Sequence, residues 1–288
     1  MLERVRRRVE LARLRGRRLQ AQFSTGGVRA EETWLTLPDG TRIYAHVHAP
    51  PGAGTLPGVL LLPGLEGAGT DFDGLSTVVT ADEVAALGCV CVHMDPPGTG
   101  RSWGEYDYAG PACQRATLAA LELTARHPRV RLATVGVVGV SLGIAMATPV
   151  VAEHGERLGV DWLFDWEGPG DRRVITSFGR IMIPAMGHGL DDEAYWRPRE
   201  AVRHVGGVRC RYLREQSSED HAQGDHQGHA VDMVNAAIEG ECASVELNGV
   251  QMTRPLGPRS LPSVQWRPPG RLAANRAVLA AISDLLEG

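Results

Sequence analysis

The chain has 288 residues, of which 43% are hydrophobic, and a formal net charge of −4. These values allow one large domain with a sizeable core, give no general basis for nucleic-acid binding, and leave no apolar run approaching the roughly 18 residues of a membrane span. All 30 basic residues are arginine, which excludes sites that need a lysine, such as a Schiff base or a phosphate-binding P-loop.

Residues 1–24 form the first predicted element, an amphipathic helix. Residues 2–22 carry eight arginines against Glu3 and Glu10, with apolar residues at helical spacing on one side. We expect this helix to dock on the domain or on a second copy of the chain, which would make a homo-oligomer, and binding to an anionic surface is the alternative. The segment lacks the continuous apolar core of a secretory signal and its acidic residues are unlike a transit peptide, so the predicted compartment is the cytoplasm.

Residues 32–48 have the alternating character of a β-hairpin. The strands Thr33–Leu37 and Thr41–His48 flank a Pro-Asp-Gly turn. His46 and His48 lie two residues apart on one face of the second strand and precede any catalytic loop, so we interpret them as surface or cross-strand histidines.

A continuous apolar run, Gly58–Leu62, predicts a central strand, and the loop after it carries the first chemical signal. This loop, Pro63–Gly69, is rich in glycine and would leave backbone N–H groups open, as acyl-transfer enzymes do to hold a developing oxyanion. We predict the N–H groups of Leu65 and Leu142 as the two donors.

The next predicted elements are a helix over residues 72–87 and a buried strand, Gly88–His93. Cys89 and Cys91 alternate along this strand, and the chain has five cysteines, an odd number. This pattern fits buried thiols in a reducing compartment better than a framework of disulfides.

The segment Gly139–Gly143 reads Gly-Val-Ser-Leu-Gly and centres on Ser141. A serine on a tight strand-to-helix turn needs glycine at both flanking positions, because side chains there would collide with neighbouring backbone. The apolar run Ala133–Val138 before the motif predicts a buried strand, and Ile144–Ala147 after it has helix-forming character. The sequence therefore predicts a nucleophile elbow with Ser141 as the nucleophile.

A third signature, Asp95–Ser102, has the form D-x-x-G-x-G-x-S and follows the strand that precedes the elbow. Together with Pro63–Gly69 and Gly139–Gly143 it resembles the α/β-hydrolase fold family over residues 30–288. The resemblance implies an α/β fold with a mostly parallel, eight-stranded sheet flanked by helices. It further implies a serine hydrolase that acts on a small-molecule acyl substrate and uses neither a cofactor nor a metal.

Alternating strands and helices independently favour such a sheet, with ligands at the carboxyl ends of its strands. Further strands and helices are predicted at Pro111–His127, Val160–Phe164, Val208–Leu213, Ala230–Ile238, Ala243–Leu247 and residues 272–286. Residues 169–206 break the alternation and contain enough apolar side chains for a small cap over a pocket, which favours an apolar or aromatic substrate group.

The acid of the family's catalytic triad follows the seventh strand or, in some members, the sixth. The resemblance thus implies Asp220 as the first candidate acid, with Glu167 and Asp165 as alternatives. The family's base follows the last strand, but here no histidine occurs after His229, and Gln251 stands where the base would be. Either the hydrolase is inactive or its base has moved.

Residues 220–229 are the candidate region for a relocated base, since they contain three histidines and two aspartates. A serine nucleophile needs an imidazole to accept its proton and a carboxylate to fix the tautomer. We predict His229 as the base, with His221 second. Asp225, His226 and His229 keep open a divalent metal site, although a serine elbow would be redundant in a metal-dependent hydrolase.

Two hypotheses of function follow. The first is a serine hydrolase that cleaves a carboxylic ester or related acyl bond through an acyl-enzyme on Ser141; amide and peptide bonds use the same machinery and stay open. The second is a catalytically inactive binding protein of the same fold, motivated by the missing terminal histidine and the arginine-rich first segment.

Overall fold

The structure is a computed structural model that describes residues 27–74, 78–175, 187–217, 226–257 and 271–287. The predicted N-terminal helix, residues 1–24, lies outside these ranges. Nine strands form one sheet: β1 (Arg29–Thr36), β2 (Arg42–Ala49), β3 (Leu56–Leu62), β4 (Val90–Met94), β5 (Val130–Val140), β6 (Val160–Trp166), β7 (Arg211–Glu215), β8 (Ser244–Leu247) and β9 (Val250–Gln251).

The strand order is β1-β2-β4-β3-β5-β6-β7-β8-β9. The six strands from β4 to β8 in this order pair in parallel, whereas β1, β2 and β9 pair antiparallel. The expectation of eight strands is therefore wrong by one, and the sheet is mixed. The additional strand, β9, follows a two-residue turn in which Asn248 and Gly249 both have positive φ, of 52° and 77°. An Asn-Gly pair favours this type of hairpin turn, so the pair is the sequence signal for β9.

Eight α-helices are described, together with 3₁₀ turns at Gly69–Asp73 and Arg197–Arg199. The α-helices are α1 (Ala81–Ala86), α2 (Pro111–Arg126), α3 (Gly143–His154), α4 (Arg172–Ile175), α5 (Glu193–Trp196), α6 (Ala201–Val205), α7 (His226–Glu239) and α8 (Arg271–Glu287). Their positions confirm the predicted alternation with the central strands.

Local sequence explains how the principal helices begin. Pro111 stands in the first turn of α2, where its fixed φ suits a helix and its missing N–H costs no hydrogen bond. Thr80 caps α1 through two reciprocal hydrogen bonds. Its hydroxyl accepts from the N–H of Glu83, and the side-chain carboxylate of Glu83 accepts from the N–H of Thr80.

The sheet separates two apolar cores. Side chains of α2, α3, α6 and α7 belong to the larger core on one face, and those of α1 and α8 belong to the core on the other face. The central strands β3 and β4 contribute to both cores, which is why their sequences are continuous apolar runs instead of alternating ones.

The sheet register brings the carboxyl ends of the central strands together. Leu62 at the end of β3 pairs with Gly139 of β5, and Val140 pairs with Trp166 at the end of β6. The loops after these strands therefore meet at one edge of the sheet, where the predicted site residues lie.

The predicted cap, residues 169–206, is described only in part, because residues 176–186 lie outside the described ranges. Trp196, expected to contribute to a cap over a pocket, is fully buried in the larger core. Its indole N–H donates a hydrogen bond to the carbonyl oxygen of Gly189. The cap itself stays a prediction.

All five cysteines are free thiols, and four of them are buried. This confirms the expectation of buried thiols over a disulfide framework. Among the helices of the described ranges, none has both the length and the apolar composition that a membrane crossing requires.

Candidate active site

Ser141 lies between the end of β5 and the start of α3, on a turn with the geometry of a nucleophile elbow. Its φ is 52°, in the left-handed region that residues other than glycine rarely adopt. Its N–H donates to the carbonyl oxygen of Trp166 over 2.9 Å, which extends the β5–β6 ladder by one hydrogen bond. The backbone thus holds this strained residue at the carboxyl edge of the sheet.

The two glycines of the motif are required by close backbone approaches. A Cβ atom at Gly143 would lie 2.6 Å from the carbonyl oxygen of Leu62 and 2.8 Å from that of Pro63. At Gly139 it would lie 2.9 Å from the Cα of Ile144. Glycine is therefore required at Gly139 for the tight turn of the elbow itself and at Gly143 for the close approach of the elbow to the end of β3.

The loop Pro63–Gly69 packs directly against the elbow. A Cβ atom at Gly64 would lie 3.2 Å from the Cβ of Ser141, so the loop backbone passes beside the serine side chain. Within the described ranges, the N–H groups of Leu65 and Leu142 donate no hydrogen bond. These two N–H groups therefore stay the predicted donors of an oxyanion hole.

Asp95 fastens this loop to the third signature. Its carboxylate accepts hydrogen bonds from the N–H of Thr70 over 2.9 Å and from the N–H of Arg101 over 2.7 Å. Ser102 donates to the carbonyl oxygen of Asp95 and accepts from the N–H of Tyr44. The D-x-x-G-x-G-x-S segment therefore positions backbone near the site.

Asp165, one of the alternative acids, lies at the end of β6 in a fully buried cluster. Its carboxylate accepts hydrogen bonds from Arg214 over 2.5 Å, from the hydroxyl of Tyr212 over 2.6 Å and from the N–H of Gly168 over 2.8 Å. Burial, with the nearby Asp165 charge, raises the pKa of Tyr212 well above its usual value. Among these contacts the partner of Asp165 is a guanidinium and not an imidazole.

His229, the first candidate base, lies in α7 on the other side of the same arginine. Its Nδ1 atom is 3.1 Å from Nη2 of Arg214 and 3.1 Å from the carbonyl oxygen of Gly168. The side chain is buried at 2% exposure. Gly168 follows Trp166, the hydrogen-bond partner of Ser141, by two residues, so His229 contacts the loop next to the elbow.

The tautomer of His229 decides whether it can act as a base. A carbonyl oxygen only accepts and a guanidinium only donates, so Nδ1 serves one of them at a time. When Nδ1 carries the proton and donates to Gly168, Nε2 is left as an acceptor. When Nδ1 accepts from Arg214, Nε2 carries the proton and cannot accept one from a serine.

Glu167, the second alternative acid, follows β6 with a φ of 49° and is buried. Its Oε1 atom accepts hydrogen bonds from the N–H of Ser217, over 2.7 Å, and from the hydroxyl of the same residue. Ser217 immediately precedes residues 218–225, which lie outside the described ranges and include Asp220, His221 and Asp225. Glu167 is therefore a carboxylate beside the beginning of the segment that carries the other candidates.

The sequence analysis places Gln251 where the base of the resembled family would be, and the described residues after β8 form a different interaction. The amide of Asn248, directly after β8, donates to the carbonyl oxygen of Gln216 over 3.0 Å and accepts from its N–H over 2.8 Å. Gln251 lies on the exposed strand β9. These contacts join the ends of β7 and β8, and neither side chain is an imidazole.

The sequence analysis did not identify Arg214 and Gln216 as site residues. Nη2 of Arg214 donates to Oε1 of Gln216 over 2.7 Å, which joins both side chains to the cluster around Asp165 and His229. The sequence carries little signal for this role, because β7 reads Arg-Tyr-Leu-Arg-Glu and its pattern does not mark which of its two arginines is buried with an acceptor.

The fold matches solved structures of hydrolases. One is 2,6-dihydroxy-pseudo-oxynicotine hydrolase, with a TM-score of 0.66 and 16% identity over 94% of this chain and 71% of the other. A second is an esterase of Pyrococcus furiosus, with a TM-score of 0.61 and 12% identity over 90% and 92%. A third is brefeldin A esterase, described as a bacterial homologue of human hormone-sensitive lipase, with a TM-score of 0.60 and 16% identity over 97% and 84%.

No family model and no curated protein matches the sequence. The structural likeness covers 94% of the chain in the first of these matches and 97% in the third. The chain therefore has the α/β-hydrolase fold, which confirms the resemblance that the three sequence signatures carry.

Proposed function

We propose that the chain is a serine hydrolase that cleaves a carboxylic ester or related acyl bond through an acyl-enzyme on Ser141. The observation that carries this proposal is the strained backbone of Ser141, held at the carboxyl edge of the sheet beside the loop Pro63–Gly69. A residue in the left-handed region costs about 1–3 kcal/mol, and such strain persists where the surrounding structure enforces it.

In the proposed reaction, the hydroxyl of Ser141 attacks the substrate carbonyl while a histidine accepts its proton. The developing oxyanion lies against the N–H groups of Leu65 and Leu142, and the amino end of α3, which begins at Gly143, adds a favourable dipole. The histidine then donates that proton to the alkoxide that leaves as the ester C–O bond breaks, so the acyl group stays on Ser141. In the second half of the reaction the histidine takes a proton from the water that attacks the acyl-enzyme and returns it to Oγ of Ser141 as the carboxylic acid departs.

The first candidate base is His229. The arrangement supports this role when Nδ1 donates to the carbonyl oxygen of Gly168, since Nε2 is then an acceptor. One N–H of Nη2 in Arg214 is directed to Gln216, and Nη1 donates to Asp165 and Gly168. His221 is the second candidate, with Asp220 or Glu167 as the carboxylate that orients the base.

An apolar or aromatic acyl substrate fits the proposal best, because the sequence of residues 169–206 predicts a small cap with apolar side chains. Several solved structures that match the fold are named as esterases and others as peptidases. Esters are proposed first, and amide bonds are the alternative on the same machinery.

Fluorophosphonate labelling of the purified chain, located by peptide mass spectrometry, tests the proposal. We expect a single adduct on Ser141 that is lost in Ser141→Ala and in heat-denatured protein. Ser244→Ala is the matched control, because Ser244 lies at the amino end of β8, at the opposite edge of the sheet, and this variant should label like the wild type. Folded protein that takes up no label would favour the inactive binding protein instead.

A further inference from the structure

A second cluster of titratable side chains lies apart from Ser141, and we call it the three-histidine cluster. It consists of His46, His48, Asp73 and His93, and one ligand atom from each lies within 4.8 Å of every other. It takes no part in the proposed hydrolysis. The sequence analysis interpreted His46 and His48 as surface or cross-strand histidines. Both pair across the sheet with β4, which confirms the cross-strand interpretation, and His48 is buried, which excludes a surface position for it.

Sheet register assembles this cluster. In the antiparallel pair β2–β4, His46 lies directly opposite His93, and His48 lies two residues along β2 on the same face. The 3₁₀ turn Gly69–Asp73 crosses this face and brings in Asp73. Four side chains from three segments, far apart in sequence, therefore converge at one point.

Four of the six distances between the ligand atoms are close to the edges of a tetrahedron. Oδ1 of Asp73 lies 2.9 Å from Nε2 of His93, 3.1 Å from Nε2 of His48 and 3.2 Å from Nδ1 of His46. The two Nε2 atoms are 3.2 Å apart. A zinc ion with four bonds of about 2.0–2.1 Å in tetrahedral arrangement separates its ligand atoms by roughly 3.3 Å.

Hydrogen bonding with a neutral His48 leaves one contact of the cluster repulsive, and a cation would remove that repulsion. Nδ1 of His48 lies 2.8 Å from a carboxylate oxygen of Asp82 and donates a hydrogen bond to it. In the neutral ring Nε2 is then unprotonated and carries a lone pair. That lone pair faces Oδ1 of Asp73 and Nε2 of His93. With a neutral His48, this lone pair and Oδ1 of Asp73, 3.1 Å apart, repel each other, whereas a metal ion at the centre attracts both.

His93 gives a further indication. Its ring is fully buried, and Nδ1 has no hydrogen-bond partner among the residues that the structure describes. Hydrogen bonding alone thus leaves one nitrogen of this buried imidazole unsatisfied, which is unfavourable. Metal binding through Nε2 leaves Nδ1 unpaired as well, but the bond to the ion would offset the cost of burying this ring.

We propose that the three-histidine cluster binds one zinc ion through the three imidazoles and the carboxylate of Asp73. Neutral imidazole nitrogens with one carboxylate form a donor set suited to zinc. Asp82 holds His48 in the ligating tautomer, as outer-shell carboxylates do. The charges of Asp73 and Asp82 balance that of the ion.

The proposed site is structural, because four protein ligands leave no open position for a substrate or a water. Asp73 ends the 3₁₀ turn that follows the loop Pro63–Gly69 directly. Zinc would therefore tie the end of that loop to β2 and β4. The inference does not depend on the proposed hydrolysis, and its test measures metal and stability instead of turnover.

The experiment uses the full chain, stripped with a chelator, dialysed and then titrated with zinc chloride. We expect one equivalent of zinc per chain by elemental analysis after gel filtration and a higher melting temperature. Cobalt(II) in place of zinc should give the intense visible absorption of a tetrahedral site. This spectroscopic readout uses the wild-type chain, so it needs no variant to fold.

Matched variants locate the ion. Asp73→Asn and His46→Asn alter the more exposed ligands and should abolish stoichiometric binding. Asp82→Asn should weaken it by roughly 10–100-fold, as expected for an outer-shell partner. His154→Gln, at a partly exposed histidine paired with Glu153, should bind zinc like the wild type.

Two results would overturn the proposal. Substoichiometric zinc with an unchanged melting temperature would mean that protons hold the cluster together, with a doubly protonated His48 shared between Asp73 and Asp82. Zinc binding that survives in Asp73→Asn but is lost in His226→Asn would place the metal elsewhere in the chain.

Discussion

Nη2 of Arg214 lies 3.1 Å from Nδ1 of His229, and both side chains are buried. The contact gives the candidate base a cationic neighbour where a catalytic triad has a carboxylate. Arg214 is also bound to the carboxylate of Asp165, whose negative charge offsets the positive charge of the guanidinium next to the imidazole. A base at this position would be oriented by the carbonyl oxygen of Gly168.

Replacing His229 by glutamine separates a catalytic role from a structural one. Glutamine can retain polar contacts with Gly168 and Arg214, so we expect little loss of stability. If His229 is the base, ester hydrolysis should fall by about 10⁴-fold or more, and fluorophosphonate labelling should slow in parallel. Activity and the midpoint of urea unfolding are measured on the same preparation.

His188→Ala is the control for this change. His188 stacks on Tyr195 at a centroid distance of 3.8 Å, and it has no proposed role in the reaction. Its activity should stay within a few-fold of the wild type. Wild-type turnover in His229→Gln would remove His229 as the base and transfer the assignment to His221.

Two substitutions of Ser141 should remove activity equally but differ in stability. Alanine keeps the unfavourable left-handed backbone, whereas glycine adopts it without a steric penalty. We expect Ser141→Gly to be more stable than Ser141→Ala by about 1 kcal/mol, as measured by urea unfolding. Equal stabilities would show that the strain at Ser141 relaxes when the hydroxyl is lost.

The close approach at Gly143 predicts a cost for any side chain there. In Gly143→Ala the methyl group would collide with backbone carbonyls at the end of β3, so we expect a loss of about 1–3 kcal/mol in stability and a lower kcat. Gly207→Ala is the control, since its Cβ would meet only ordinary contacts at 3.4 Å and 3.5 Å. Similar melting temperatures for the two variants would contradict the close packing of loop and elbow.

The buried pair of Asp165 and Arg214 should depend on both partners. Both side chains are fully buried, so Arg214→Met leaves an uncompensated carboxylate and should cost about 3–5 kcal/mol. Adding Asp165→Asn should recover part of that loss. The double-mutant cycle is followed by urea unfolding, and additive losses would show that the two residues are not coupled.

An exposed arginine provides the comparison. Arg209 pairs with Glu156 and Glu241 on the surface, and its side chain is 59% exposed. Arg209→Met should change stability by no more than about 0.5 kcal/mol, because solvent screens such pairs.

Thiol reactivity gives a pH-dependent test of the core. Burial raises the pKa of Cys89 to about 12, so this thiol stays protonated and poorly nucleophilic at pH 8. Alkylation in the native state, followed by mass spectrometry, should leave Cys89 unmodified up to about pH 9. Denatured protein should react at all five cysteines, and rapid native modification of Cys89 at pH 8 would contradict its burial.

The sequence alone predicted the elbow, the loop Pro63–Gly69 and most of the strands and helices. These features depend on local physics: continuous apolar runs for strands buried on both faces, and glycine where the backbone must pass closely. The Gly-Val-Ser-Leu-Gly segment alone is therefore enough to predict Ser141 as the candidate nucleophile. The proposed chemistry of Ser141 rests on this local signal.

The tertiary structure decided which distant side chains meet. The contact of His229 with Gly168 spans 61 residues and that of His48 with His93 spans 45. Such contacts depend on strand register, since a shift of one residue turns a side chain to the other face of the sheet. The spacing of His46 and His48 placed them on one face of a strand, and only the pairing of β2 with β4 placed His93 beside them.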